Sequence, residues 1–206
     1  MVQNKEGTDV KRRGRPRAYD PAAALAQARD AFWRHGYSGT SLDEISAATG
    51  MNRPSLSAAF GDKRAIYLAA LRDYWVAKFA TMDRALDAER LQDALLGVYD
   101  ASLSLYFTEA DGARGCFVVG TAVTESVDDH EIREIAKAGF NTLDAKFADR
   151  FRLAQHAGEI AREADVEALA LLATATLHTL AVRSRAGTPC EELRRLARKA
   201  VAMICR

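Results

Sequence analysis

Residues 40–67 read T-S-L-D-E-I-S-A-A-T-G-M-N-R-P-S-L-S-A-A-F-G-D-K-R-A-I-Y. Thr40 and Ser41 are both N-cap types, and Asp43 and Glu44 stand three positions beyond them. Either T-x-x-D or S-x-x-E therefore supplies a capping box. Leu42, Ile45 and Ala48 form one apolar stripe of a short helix. Gly50 closes that helix, because glycine adopts the left-handed backbone of a C-cap without a Cβ clash. Asn52 caps a second short helix, with Pro54 in its first turn, where a missing N–H costs little. Leu56 and Phe60 point that helix at a core, which leaves Arg53, Ser55, Ser57 and Ala58 facing outward. Helix, tight turn, helix with a small polar outer face is the helix-turn-helix pattern, whose second helix enters the DNA major groove.

Outward from this stretch the pattern stays helical. Asp20 and Pro21 start a helix that runs to about His35 and closes at Gly36, burying Leu25, Ala28, Phe32 and Trp33. From about Asp62 a helix continues through Tyr67, Leu71, Tyr74, Trp75 and Phe79 to about Leu86. That is too long for a helix-turn-helix domain alone, so it bridges to whatever follows. Further helices are predicted over 91–109, 115–126, 129–157, 164–186 and 189–205. Asp111-Gly112, Gly158 and Gly187-Thr188-Pro189 separate them. No alternating strand pattern of useful length occurs. The expected fold class is all-α, with about nine helices.

Three segments carry a resemblance: A-x-x-x-F-W-R-H-G-Y-S-G-T-S at 28–41, I-S-A-A-T-G-M at 45–51, and L-S-A-A-F-G-D-K-R-A-I-Y at 56–67. Residues 20–67 resemble the DNA-binding domain of the tetracycline-repressor (TetR/AcrR) family of bacterial transcription regulators. Ser46, Asn52 and Ser57 depart from the residues usual in that family, where alanine, serine or threonine, and an aromatic side chain stand. The resemblance implies a helix-turn-helix domain at 19–65 and a helical effector-binding and dimerisation domain at 66–206. It implies a homodimer joined through the last two helices, on Leu169, Leu172, Thr176, Leu177, Leu180, Leu193, Leu196, Val201 and Ile204. It also implies a cavity for a small effector. Trp75, Phe79, Leu103, Phe107, Cys116, Val119, Phe140 and His178 are the candidate walls, although an ordinary core would use the same residue types. The implied function is a repressor released from a palindromic operator by a small hydrophobic molecule.

Charge fits a nucleic-acid partner at one end of the chain. Lys and Arg total 29 and Asp and Glu 28, but residues 1–65 hold eleven basic and seven acidic side chains. The basic excess accompanies the helix-turn-helix, where phosphate would lie. Residues 1–18 are polar and contain K-R-R-G-R-P-R at 11–17. They read either as a solvated tail or as an arm that inserts Arg13, Arg15 and Arg17 into the minor groove. Arg53 is the long charged side chain of the recognition turn and the candidate for reading guanine. Thr40, Ser41, Asn52, Pro54, Ser55 and Ser57 complete the candidate DNA face. Lys63 is a surface lysine or, as in the resembling family, a phosphate contact. Tyr37 packs or touches the backbone.

Other classes find less support. The four histidines lack metal-ligand spacing, and neither G-x-S-x-G nor a glycine-rich phosphate loop occurs. No catalyst, metal or cofactor is read. A DNA-architectural protein would not need residues 66–206. Cys116, Cys190 and Cys205 are odd in number, which suits a reduced cytoplasmic protein. No run of 18 apolar residues suggests a membrane span, and the N-terminus lacks the apolar core of a secretion signal. Cys116, in R-G-C-F-V-V-G, reads as a small apolar packing residue or, alternatively, as a sensor of oxidants and electrophiles.

Overall fold

The computed structural model describes residues 19–108 and 112–205. The arm, with Arg13, Arg15 and Arg17, lies outside the described residues. Along the chain come α1 (Pro21–Gly39), α2 (Leu42–Thr49), α3 (Arg53–Phe60), α4 (Lys63–Leu86) and α5 (Leu91–Tyr106). A two-residue ladder, β1 (Phe107–Thr108) with β2 (Gly112–Ala113), leads to a π-helical turn (Val118–Ala122). Then follow α6 (Val123–Glu125), α7 (His130–Ala157), α8 (Val166–Arg185) and α9 (Cys190–Ile204). The all-α expectation holds.

Local chemistry accounts for most helix ends. Asp20, Ser41, Asn52, Asp62, Asp129 and Asp165 each accept a backbone N–H at the start of a helix. The capping box is S-x-x-E: Ser41 Oγ accepts from Glu44 N, and Glu44 accepts from Ser41 N. Gly50 takes φ 64°, the left-handed C-cap. α1 does not stop at Gly36. It kinks there, with φ 76°, and a further turn runs on to Gly39.

Two expectations between 91 and 126 are corrected. The helix from 91 ends at Tyr106 rather than 109, and a short antiparallel ladder replaces its last turn. Arg114 stabilises that ending. Its backbone N–H donates to Tyr106 O (2.8 Å) and its Nε to Leu105 O (3.1 Å), so two terminal carbonyls find donors outside the helix. The helix expected over 115–126 is a π turn followed by one turn of α-helix. Thr121 Oγ1 donates to Phe117 O at 2.7 Å, a carbonyl an α-helical N–H would otherwise use. The register widens by one residue, and Val123 N–H reaches Val118 O.

One contiguous apolar core runs through both ends of the molecule. Phe32, Ile45 and Leu56 hold α1, α2 and α3 together, and Leu95, Tyr99, Phe147, Leu177 and Val201 hold α5, α7, α8 and α9. α4 passes between the two groups. Its Tyr67 and Tyr74 rings meet Phe117 at 5.8 and 5.6 Å, and Trp33 of α1 meets Tyr74 edge-on at 5.3 Å. At the base of α4, Arg64 holds Asp129 through two hydrogen bonds, at 2.6 and 2.9 Å, and reaches Glu131 at 3.0 Å. The guanidinium holds the Asp129 carboxyl down at about 2, helped by N–H bonds from Ile132 and Glu131. The helix-turn-helix is thus fixed to the start of α7 as well as to α4.

Candidate functional site

The outward face of α3 is built on a rigid base. Leu56, 1% exposed, pins the helix inward, and Asn52 Oδ1 accepts from Ser55 N at 2.9 Å. Ser46 Oγ donates to Met51 O across the turn. The serine at this departure from the family pattern thus ties α2 to the entry of α3. Asn52, Arg53, Pro54, Ser57 and Ala58 are exposed, and Ser55 is half-buried. A first helical turn bearing only short polar side chains and one long cation fits a groove floor and can present donors and acceptors to base edges.

Arg53 is not loose on this face. Its Nε donates to Asp43 Oδ1 at 2.7 Å and its second nitrogen to Asp43 Oδ2, a two-pronged pair with α2. Each partner displaces the other's ordinary pKa: Asp43 is lowered and Arg53 raised, chiefly by the shared hydrogen bonds. Sequence reading missed Asp43 as a partner. The spacing of ten residues across a turn carries no periodic signal.

Tyr37 and Lys63 lie together beside α3. Tyr37 is half-buried, with its ring against Phe32 (6.1 Å) and Tyr67 (4.9 Å). Lys63 Nζ sits 4.4 Å above that ring, an attraction that orients the cation. Burial, then the charge of Asp62, raises the Tyr37 hydroxyl pKa, so it stays a neutral donor. Ser41 remains exposed at the mouth of α2.

Thr40 is a correction to the candidate face. It is 1% exposed, its hydroxyl donates to Gly36 O at 2.6 Å, and its N–H goes to Tyr37 O. Its side chain closes the α1 kink and has no free polar group to offer an outside partner. The signal misread was the cap pair itself: Ser41 does the capping, and the neighbour turns inward.

The expected cavity walls prove to be mostly core. Trp75, Phe79, Phe140 and His178 do come together across α4, α7 and α8, but as a tight aromatic cluster. Trp75 stacks on Phe79 at 5.0 Å, meets Phe140 edge-on at 5.9 Å, and Phe140 meets His178 at 5.1 Å. These rings leave so little room that a Cβ on Gly139 would lie 2.1 Å from the Trp75 ring. Burial, then the nearby Lys78 charge, lowers the His178 pKa, which favours the neutral imidazole. Leu103 is fully buried and Phe107 half-buried against α5. Cys116 and Val119 do line a recess, but it is a separate one toward Arg185 on α8. The Cys116 thiol is 4% exposed and 3.1 Å from the Tyr74 hydroxyl. Arg114, two residues before Cys116, stacks on Trp33 (3.8 Å) and pairs with Asp30 (3.2 Å).

A cavity with mixed walls lies elsewhere, between α1, α4 and α5. It has a volume of about 320 Å³. Trp33, Tyr74, Met82, Val98 and Leu105 give it apolar walls, and Arg29, Lys78 and Ser102 bring polar groups. No expected wall residue borders it. Trp33 and Arg29 belong to α1, the first helix of the helix-turn-helix unit. Sequence reading assigned Trp33 to the small domain's core, which is correct for burial but hides its second face.

The last two helices also need correction. Leu177, Leu180, Leu193, Val201 and Ile204 are buried within the protomer, between 0% and 8% exposed. They form the seam of α8 with α5, α7 and α9 and are not a free surface. Leu169, Thr176 and Leu196 are half-buried, and Leu172 is exposed. The free apolar face is a second stripe. Leu171 (62%), Leu172 (55%), Val182 (55%) and, on α9, Met203 (63%) face outward. This doubled stripe also makes α8 the one described helix long and apolar enough, by length and composition, to cross a membrane, with 39% of the window buried inside the protein.

Comparisons with known proteins agree with this architecture. The pattern described as "Bacterial regulatory proteins, tetR family" matches residues 24–70, and "Tetracyclin repressor-like, C-terminal domain" matches residues 80–200. The HTH-type transcriptional repressor ComR of Escherichia coli (strain K12) is 32% identical over 189 residues, covering 91% of this chain and 90% of that protein. The HTH-type transcriptional repressor BdcR of the same organism is 27% identical over 139 residues, covering 66% and 68%. Among solved structures, a cysteine mutant of the TetR family transcriptional regulator CifR, complexed with 26bp double-strand operator DNA, superposes with a TM-score of 0.78. It is 30% identical, covering 91% of this chain and 98% of that one. A helix-turn-helix with its outer face free, a second helical domain matched along its length, and relatives of near-equal span lead to one assignment: the chain belongs to the tetR family of bacterial regulatory proteins, which regulate transcription by binding DNA.

Proposed function

We propose that the chain is a homodimeric repressor, acting in the cytoplasm by binding alone and without a catalytic step. Each protomer lays α3 in the major groove of one half-site. A small molecule filling the cavity between α1, α4 and α5 releases the DNA. The observation that carries this reading is the shared use of α1. Arg29 and Trp33 wall the cavity, while Phe32 on the next face of the helix lies in the helix-turn-helix core. A ligand that changes the α1–α4 spacing therefore moves the recognition helix directly, and two states of different DNA affinity follow.

In this reading Asn52, Arg53, Pro54 and Ser57 meet the groove, with Arg53 leaving Asp43 to read a guanine. Ser41, Tyr37 and Lys63 hold the phosphate backbone, and the arm reaches the minor groove. The dimer forms on the outward stripe of α8 and α9, centred on Leu171 and Leu172, because that apolar surface is otherwise left in water. Selection of bound oligonucleotides followed by footprinting tests the proposal. It returns an inverted repeat with two half-sites about one helical turn, or a multiple of it, apart, bound with an affinity that falls steeply with salt. Recovery of sites without two-fold symmetry refutes it.

A further inference from the structure

The cavity is bordered by an enclosed cation. Lys78 is only 6% exposed. Among the described residues no ion pair holds it, and its Nζ lies 5.6 Å from the centroid of the Tyr106 ring. A second cation, Arg29, lines the same space. One of its terminal nitrogens pairs with Asp73 at 2.7 Å, but its Nε is buried with no acceptor. No acidic side chain lines the cavity. Other titratable groups around Lys78 include Tyr106, Tyr74, Cys116, whose thiol is 3.1 Å from the Tyr74 hydroxyl, and His178, on which the Asp144 carboxylate also acts.

Enclosure penalises the charged form of an amine, and a counter-charge brought by a ligand offsets that penalty. Two cationic side chains bordering one apolar-walled space, with no carboxylate among its lining residues, define what fits there. We infer that the cavity takes a small organic carboxylate with an apolar body, its charge set against Lys78 and Arg29 and its hydrocarbon part against Trp33, Met82 and Leu105. Burial lowers the Lys78 pKa in the empty protein, and an arriving carboxylate favours the charged amine again. The inference rests on the release reading above only for its consequence, since the ligand's chemistry follows from the cavity alone.

Isothermal titration of the full-length protein with hexanoate and benzoate, each against its neutral alcohol (1-hexanol, benzyl alcohol), tests it. At least one acid binds about tenfold or more tightly than its alcohol, as a buried charge-assisted hydrogen bond requires. Lys78→Met and Lys78→Gln, two separate neutral replacements that stay clear of the DNA face, lose that preference while still binding operator. Equal binding of acid and alcohol, an acid preference that survives both substitutions, or no binding of either acid overturns the inference. The two readings separate cleanly. Acids that bind Lys78-dependently but leave the operator occupied sink the release mechanism and keep the anion site. A neutral compound that releases DNA from wild type and both variants alike does the reverse.

Discussion

Leu172→Asp separates the two apolar faces of α8. Leu172 is 55% exposed in the protomer. Full burial of a leucine side chain stabilises by ~1.5–3 kcal/mol, so covering the exposed half contributes about 1 kcal/mol per copy. Two-fold symmetry counts it twice, giving about 2 kcal/mol per dimer. Leu172→Ala should therefore weaken the dimer by roughly one to one and a half orders of magnitude. Leu172→Asp is harsher, because it sets two unpaired carboxylates in one desolvated interface at several kcal/mol each. The folded protomer should barely notice, since a polar residue at an exposed helix position changes stability by about 0.5 kcal/mol or less. The expected result by sedimentation equilibrium is a monomer with wild-type helical circular dichroism and lost operator affinity. Leu177→Asp is the contrast. Leu177 is 1% exposed, and its carboxylate would enter the protomer core and unfold it. A Leu172→Asp protein that stays dimeric with an unchanged dissociation constant refutes the assignment of the outward stripe.

Three other outcomes are expected. Arg53→Ala should relax base preference at one position of each half-site and weaken the chosen operator by about 5- to 150-fold, whereas Lys63→Ala should weaken all sequences alike and lower the salt slope by about one unit. Matching base-preference profiles for the two variants in a selection assay would remove the distinction. Gly139→Ala should destabilise by about 1–3 kcal/mol in chemical unfolding, because its Cβ meets the Trp75 ring at 2.1 Å; an unchanged midpoint would mean that the aromatic cluster yields freely. Asp129 has its pKa held down at about 2 by Arg64. Its stabilising effect is therefore complete above the ordinary carboxylate range and is lost as pH falls from about 4 to about 2. Asp129→Asn, which keeps a helix cap, should lose less stability than wild type over that interval in thermal melts; parallel losses would show that the Arg64 pair contributes nothing.

The features legible in the sequence are those set by neighbours a few residues apart. S-x-x-E at Ser41–Glu44, glycine at 50, asparagine before R-P at 52 and aspartate before the long α4 each fix a helix end through hydrogen bonds spanning two or three residues. Such bonds form wherever the chain goes. Helix order and the helix-turn-helix were therefore readable, and with them the outward positions Arg53, Ser57 and Ala58, while Ser55, read as outward too, is half-buried. Only tertiary structure could settle choices between equivalent faces. α8 carries two apolar stripes of similar quality. α5, α7 and α9 cover the one holding Leu177 and Leu180, and this leaves Leu171 and Leu172 outside. Nothing in a 3.6-residue period says which stripe the neighbours take. Thr40 and Ser41 are likewise equal as caps until the α1 kink draws one hydroxyl inward. The cavity needed the fold most of all. Arg29, Lys78 and Ser102 come from three helices and share no spacing, and a lysine in a helix reads as solvent-facing until neighbours on every side enclose it. Short-range hydrogen bonding fixed the helices, and long-range contacts decided which side chains they hide.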